Sequence, residues 1–357
     1  MIERKPTAAL RSALLALAVF VVALGIAPGA ATTQDQDAPR VRLPEDEAPH
    51  DALIEWWYYT GHLFAPDGTR YGFEQVFFKG QPGAITGYVG HVAVTDGARD
   101  RFVYDQKIGP ATGVSRPGPG FNLRLDDWAM AGSEGTDRLV GSVPGYTFAL
   151  DLEATKPAVL HDGDGYIEYG NGTASYYYSR TRMTVSGQLT VDGERVPVTG
   201  EAWFDKQWGD FQTFSRGGWD WFALQLDDGS DLMLYLIRGP DGEIGIADGS
   251  IVAPDGTLTV LERDDFSITA TEQWTSPATN VTYPVGWTIS LPASDLDLTV
   301  TPTLPDQELD TRDTTRVIYW EGEVTVAGTK AAMPISGLGY VELTGYAEFG
   351  EDIPIAS

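Results

Sequence analysis

Gly187-Gln188-Leu189-Thr190-Val191-Asp192-Gly193 leads through Pro197-Val198-Thr199-Gly200 into Glu201-Ala202-Trp203-Phe204-Asp205, and this pattern is written twice in the chain. The second copy runs from Gly322-Glu323-Val324-Thr325-Val326-Ala327-Gly328 through Pro334-Ile335-Ser336-Gly337 into Leu338-Gly339-Tyr340-Val341-Glu342. Each copy reads as a β-hairpin turning at a glycine, followed by a strand that ends aromatic, apolar, carboxylate. The copies lie too far apart for a solenoid, whose unit recurs every ~20–50 residues. They predict two related all-β domains in tandem. Only the first copy continues into Lys206-Gln207-Trp208-Gly209-Asp210, so the search for chemistry starts there.

The two halves also open alike. Trp56-Trp57-Tyr58-Tyr59 leads through Leu63 to Asp67-Gly68, and Trp219-Asp220-Trp221-Phe222 leads through Leu224 and Leu226 to Asp228-Gly229. The boundary therefore falls between Gly209 and Gly218, with Ser215-Arg216-Gly217-Gly218 as linker, giving domains over 43–214 and 215–357. Period-two apolar patterns dominate from Leu53 onward, as half-buried strands require. Asp-Gly pairs at 67, 192, 228, 241 and 255 supply the positive φ angles of two-residue hairpins. The pattern predicts antiparallel barrels or sandwiches of about 8–10 strands each, because closure removes exposed edges.

With 357 residues, each half can bury a real core. The formal charge of −27, from 24 basic and 51 acidic residues, argues against nucleic acid and against an anionic membrane surface. Cysteine is absent, which excludes disulfides, thiol catalysis and thiolate metal sites. Arg4, Lys5 and Arg11 precede an apolar run from Ala13 to Ala27, then Pro28-Gly29-Ala30-Ala31. These are the parts of a secretory signal over 1–31, cleaved after Ala30 or Ala31. An uncleaved anchor is the alternative, the run being near the short end of the ~17–25 residues that span a bilayer. Residues 32–42 read as a flexible leader, and the folded part is expected outside the cytoplasm, secreted or in the cell envelope.

Leu43-Pro44-Glu45-Asp46-Glu47-Ala48-Pro49-His50-Asp51 with Glu55-Trp56-Trp57-Tyr58-Tyr59-Thr60-Gly61-His62-Leu63 resembles the start of the carotenoid 1,2-hydratase/AttH family. Gly72–Phe78, Trp203–Gly209, Tyr283-Pro284-Val285-Gly286-Trp287, Tyr319–Gly322 and Gly339–Tyr346 extend the resemblance over nearly the whole mature chain. It implies two tandem lipocalin-like antiparallel β-barrels and a hydrophobic, isoprenoid- or lipid-like ligand. That family includes hydratases of carotenoid end groups, fungal hydratases and cyclases, and proteins encoded beside export permeases. The resemblance thus implies either hydration or isomerisation of a C=C bond, or a non-catalytic carrier associated with a membrane permease. Hydratase-type members resemble a His-x-Trp pattern after the aspartate, where this chain has Lys206-Gln207-Trp208.

Strand alternation sorts the aromatic segments by face. Trp56, Tyr58, Thr60 and His62 share one face, with Glu55, Trp57 and Tyr59 on the other. Trp203, Asp205 and Gln207 lie opposite Phe204, Lys206 and Trp208. Trp219, Trp221, Ala223 and Gln225 lie opposite Asp220, Phe222, Leu224 and Leu226. Trp56, Trp57, Tyr58, Trp203, Trp208, Trp219, Trp221, Tyr283 and Trp287 are the candidate ligand-binding rings, expected around cavities of a few hundred Å³ near the domain junction. The alternative is that they only fill cores. Asp205 is the first catalytic candidate: held neutral by apolar surroundings it could protonate an alkene, or Lys206 could keep it ionised as a structural pair. Glu55 and Glu74 are the other carboxylates embedded in aromatic strands. His50, His62, His91 and His161 lack metal-ligand spacing. No Gly-x-Ser-x-Gly elbow or phosphate loop occurs, and Asp162-Gly163-Asp164-Gly165 lacks the later ligands of a calcium loop. Neither metal nor cofactor is expected.

Overall fold

A computed structural model of the chain describes residues 40–80, 87–110, 119–169, 172–209, 217–239 and 241–347. The expected signal segment, most of the leader and the first half of the linker, Ser215 and Arg216, lie outside the described residues. The first sheet is built from β1 (Ile54–Phe64), β2 (Arg70–Gly80), β3 (Gly87–Asp96), β4 (Arg101–Pro110), β5 (Phe121–Leu125) and β6 (Trp128–Ser133). It continues with β7 (Thr136–Val143), β8 (Tyr146–Ala154), β9 (Val159–Leu160), β10 (Tyr166–Glu168), β11 (Ala174–Val191) and β12 (Glu194–Gly209). The second sheet holds β13 (Trp219–Leu226), β14 (Asp231–Arg238), β15 (Ile244–Val252), β16 (Leu258–Leu261) and β17 (Ser267–Thr275). It is completed by β18 (Thr282–Leu291), β19 (Leu296–Pro302), β20 (Glu308–Asp310), β21 (Ile318–Lys330) and β22 (Met333–Leu343).

In the first sheet the order is β4-β3-β2-β1-β12-β11-β8-β7-β6-β5, with β9 and β10 on β11. This sheet is a nearly closed barrel. Its end strands approach so closely that a Cβ at Gly109 of β4 would lie 2.9 Å from the Leu125 side chain of β5. The second sheet runs β16-β15-β14-β13-β22-β21-β19-β18-β17, with β20 on β21, and forms a half-barrel. All pairing is antiparallel, and the fold is the expected lipocalin-like all-β one. At the centre of each sheet a long hairpin meets the opening aromatic strand: β12 pairs β1, and β22 pairs β13. The register sets Asp205 opposite Tyr58 and Glu342 opposite Trp221, so the duplicated sequence becomes a duplicated geometry.

The turns correct the sequence reading in detail. The first hairpin does turn at Asp192-Gly193, both left-handed (φ 48° and 92°). The second turns at Ala331-Ala332 (φ 50° and 63°), whereas Gly328 lies inside β21 opposite Ile335. A Cβ at Gly328 would sit 2.0 Å from the Asp297 carbonyl, so close approach of a strand, not a turn, is what holds glycine there. The other Asp-Gly pairs are longer loops in which only the glycine is left-handed. In each, that glycine N–H donates three residues back, as Gly68 does to Ala65 at 3.0 Å and Gly256 to Ala253 at 2.9 Å. Pro66 and Pro254 stand at the second turn position, whose φ proline already satisfies.

Four apolar clusters follow, the smallest joining Ala93 of β3 to Leu309, Val317 and Tyr319. One fills the first barrel around Trp57, Tyr59, Phe73, Phe77, Trp128 and Phe204. Another fills the second around Phe222, Tyr283, Trp287 and Trp320. The third joins the outer faces of the two sheets through Tyr58, Val76, Tyr177, Trp203, Trp221 and Tyr340. Strands apolar on both faces, such as Trp56-Trp57-Tyr58-Tyr59, are what such a double burial demands. Polar bonds lock the junction: Asp231 meets Lys156 at 2.6 Å and Arg182 at 2.7 Å, and Glu323 meets His62 at 2.9 Å and Arg70 at 2.8 Å. At Gly72 a Cβ would lie 2.4 Å from the Tyr340 hydroxyl and 2.9 Å from Glu323 Cβ. Gly72→Val is therefore expected to lower stability by about 1–3 kcal/mol through overpacking at the junction, read by thermal unfolding.

Candidate functional site

Between the two sheets lies a cavity of about 120 Å³, lined from both domains. β1 contributes Trp56 and Tyr58, β2 Val76 and Phe78, and β12 Asp205 and Gln207. From the second domain come Trp219, Trp221, Tyr235, Tyr319 and Glu342. The face assignments from alternation hold: Asp205 and Gln207 face the cavity, while Phe204 and Trp208 belong to the first core. The cavity is smaller than a few hundred Å³. An apolar cavity of ~150 Å³ holds benzene, so this one takes at most a single ring or the reacting end of a longer chain. A shallower depression of about 300 Å³ lies on β17–β19 around Ser267, Thr288, Ser290 and Asp297. It has none of the buried aromatic and carboxyl groups of the junction.

Asp205 is buried and accepts three hydrogen bonds, from Tyr177 Oη at 2.6 Å, from Trp203 Nε1 at 2.6 Å and from Ser179 Oγ. Burial pushes its carboxyl up to about 6, and the three donors hold it from going higher. Glu342 lines the cavity with part of its surface accessible. Burial pushes it up to about 7; a hydrogen bond from Trp219 works against that rise, and the charge of Asp205 adds to it. Behind it stand Glu321 and Glu74, both fully buried. Glu321 accepts from Tyr58 Oη at 2.7 Å, while both oxygens of Glu74 and Oε2 of Glu321 have no hydrogen-bond partner. Burial, reinforced by the neighbouring glutamates, raises both well above the usual carboxylate range.

The remaining candidates sit elsewhere. Lys206 and Glu55 pair with each other on the opposite face of the first sheet. The Lys206 ammonium lies 4.0 Å from the Trp57 ring centroid and 4.9 Å from that of Trp208. Burial pushes Lys206 down to about 8, partly offset by Glu55. Burial would raise Glu55, but Lys206 and His50 outweigh it and hold the carboxyl below its ordinary value. His50 Nδ1 reaches Glu55 at 2.9 Å and its ring stacks on Trp208 at 4.0 Å. The Asp205–Lys206 pair considered from sequence is thus absent: alternation puts the two side chains on opposite faces. Tyr283 and Trp287 belong to the second core, Trp287 lying 5.5 Å from Phe222 and 6.0 Å from Trp320. Of the candidate set, Trp56, Tyr58, Trp219, Trp221 and Asp205 line the cavity, with Trp203 bonded to Asp205.

Glu342 was not among the sequence candidates, yet the duplication carries the signal. Counted from Gly200 and Gly337, Asp205 and Glu342 occupy the same place in the two copies. Trp203→Phe removes one of the three donors to Asp205. Its carboxyl is expected to rise further above about 6, by roughly one pH unit for a bond worth ~1 kcal/mol. Infrared titration of the carboxylate band against wild type checks this.

The AttH-like family model matches residues 34–346. The chain is 34% identical to an AttH protein of Nitrosomonas europaea, whose crystal structure superposes with a TM-score of 0.78 over 89% of this chain and 100% of that one. Kievitone hydratase of Nectria haematococca shares the fold at 18% identity, with a TM-score of 0.70 over 88% of this chain and 96% of that one. The dehydratase asqC of Emericella nidulans is 24% identical over 219 residues, 58% of this chain and 61% of that protein's length.

Proposed function

This chain belongs to the AttH-like family, and we propose that its interdomain cavity adds water to, or removes water from, an apolar ligand by acid–base catalysis. The observation that carries this reading is the pair of carboxyls, buried Asp205 and part-buried Glu342, set at equivalent places on one aromatic cavity. A carrier needs the greasy wall but no acid in it. The hydratase and dehydratase among its relatives support the same reaction class.

The environments divide the roles. Glu342, pushed up to about 7, retains a proton near neutrality, whereas Asp205, at about 6 with three donors, is mostly ionised. In hydration Glu342 protonates one alkene carbon, the cation develops on the more substituted neighbour, and water attacks it. Asp205 takes the proton that water loses. A C–H and a C–O bond form while the π bond and one O–H bond break. Dehydration is the reverse, with Asp205 protonating the departing hydroxyl and Glu342 removing the proton from carbon. Indole faces of Trp56, Trp219 and Trp221 favour the cation. Sequence alone gave the donor role to Asp205; its three hydrogen-bond donors favour the base role instead.

The test is incubation with alkenes and tertiary alcohols, including lycopene and kievitone, followed by mass spectrometry. A product differing by one water supports the reading. A ligand bound and returned unchanged throughout the panel overturns it in favour of a carrier, the role expected beside an export permease.

A further inference from the structure

The hydrogen-bond accounting of the cavity wall specifies the ligand more closely than its greasiness does. Five tyrosines line the cavity, and four spend their hydroxyl protons on acceptors in or behind its wall. Tyr58 donates to Glu321 at 2.7 Å, Tyr177 to Asp205 at 2.6 Å and Tyr235 to Asp248 at 3.2 Å. The fourth, Tyr319, lies 2.8 Å from His91 Nδ1, and its direction follows from the chain behind it. Gln106 Nε2 donates to the Asp310 carbonyl, which leaves Gln106 Oε1 to accept from Thr314 Oγ1 at 2.7 Å. Thr314 also lies 3.3 Å from the Thr311 carbonyl, another pure acceptor. Its one proton is therefore spent, and at 3.2 Å it can only accept from His91 Nε2–H. Burial pushes His91 down to about 3, so the ring is neutral with one proton, and that proton is on Nε2. Nδ1 is a bare lone pair, and the Tyr319 hydroxyl must donate to it. The fifth, Tyr169, receives a hydrogen bond from Gln207 Nε2 at 2.6 Å.

The phenolic oxygens of Tyr58, Tyr177, Tyr235 and Tyr319 thus keep lone pairs but no protons to offer. Trp221 also lines the cavity, but its indole nitrogen is buried and its N–H is directed at Tyr177. We infer that this cavity selects ligands that bring their own hydrogen-bond donor, a phenol or alcohol hydroxyl, and discriminates against pure hydrocarbons. Such a hydroxyl donates to a phenolic oxygen. An unfunctionalised alkene or an ether would leave the phenolic oxygens unpaired. The inference rests on the cavity being the ligand site of the proposed reaction, and it narrows that reaction to hydroxyl-bearing substrates or products.

Phenol, toluene and anisole are single-ring probes that separate donor from shape, and calorimetry reads their binding without turnover. Phenol is expected to bind about tenfold tighter than toluene or anisole, the worth of one hydrogen bond at a buried site. Tyr319→Phe and Tyr58→Phe are each expected to cut phenol affinity severalfold and to leave toluene unchanged. His91→Phe frees the Tyr319 proton and should improve anisole. Toluene or anisole binding as well as phenol, a preference untouched by either tyrosine variant, or no binding by any probe would each overturn the inference. Because no turnover is read, a lost preference with water exchange still present rejects this inference alone. A clear preference without any water exchange rejects the proposed reaction alone.

Discussion

Glu342→Gln is expected to slow water addition or removal by about 10²–10⁴-fold, the usual worth of a positioned acid–base group. The amide keeps the shape and the hydrogen-bonding reach of the carboxyl but cannot exchange a proton. Asp205→Asn should cost a similar factor, and the double variant little more than either alone, because the two act as one unit. The pH dependence carries its own sign. Hydration needs Asp205 ionised, so the rate falls as pH drops below about 6, and Glu342 protonated, so it falls as pH rises above about 7. The profile is a narrow bell whose limbs belong to the coupled pair. In Glu342→Gln the residual rate should lose its alkaline limb, and in Asp205→Asn its acid limb. Steady-state rates across the pH range check both, and unchanged limbs would reassign the roles.

Asp231→Ala should have the largest effect on stability, about 3–5 kcal/mol, the cost of stripping the partner from buried cations. Asp231 is fully buried and accepts from Lys156 Nζ at 2.6 Å, Arg182 Nη2 at 2.7 Å and Thr181 Oγ1 at 2.7 Å. Lys156 and Arg182 come from the first domain and Asp231 from the second, so the loss falls on the junction that shapes the cavity. Urea unfolding should show the lower stability, and phenol affinity should weaken in the same variant under native conditions. A variant as stable as wild type would mean that the apolar cluster alone docks the domains.

Much of this architecture was legible before any coordinates. Strict alternation along β-strands sorted Trp56, Tyr58, Asp205, Gln207, Trp219 and Trp221 onto single faces, and those faces form the cavity wall. The duplicated hairpins foretold both sheets, because a strand pattern of that length fixes its own pairing. Which faces turn toward each other was not legible, since both faces of Trp56-Trp57-Tyr58-Tyr59 are apolar and either could have lined a pocket. That ambiguity put Lys206, Glu55, Trp57 and Trp208 beside Asp205 in the sequence reading. The glutamate cluster was hidden for another reason: Glu321 is the cross-strand neighbour of Glu342 in the second sheet, whereas Glu74 belongs to the first and only docking brings it to them. The second hairpin's turn was misplaced because Gly328 reads as a turn residue, while Ala331 and Ala332 carry no sign of their left-handed conformation.

Oxygen exchange tests the central claim most directly. A phenol bearing a tertiary alcohol side chain is incubated with the protein in water labelled with heavy oxygen, near neutral pH. Reversible loss and addition of water at the Asp205–Glu342 pair replaces the alcohol oxygen even when no net product accumulates. The account predicts label in the recovered alcohol with wild type, and label reduced to background with Asp205→Asn and with Glu342→Gln. Label that enters equally with both variants, or an alcohol that binds the wild-type cavity and never exchanges, would contradict it.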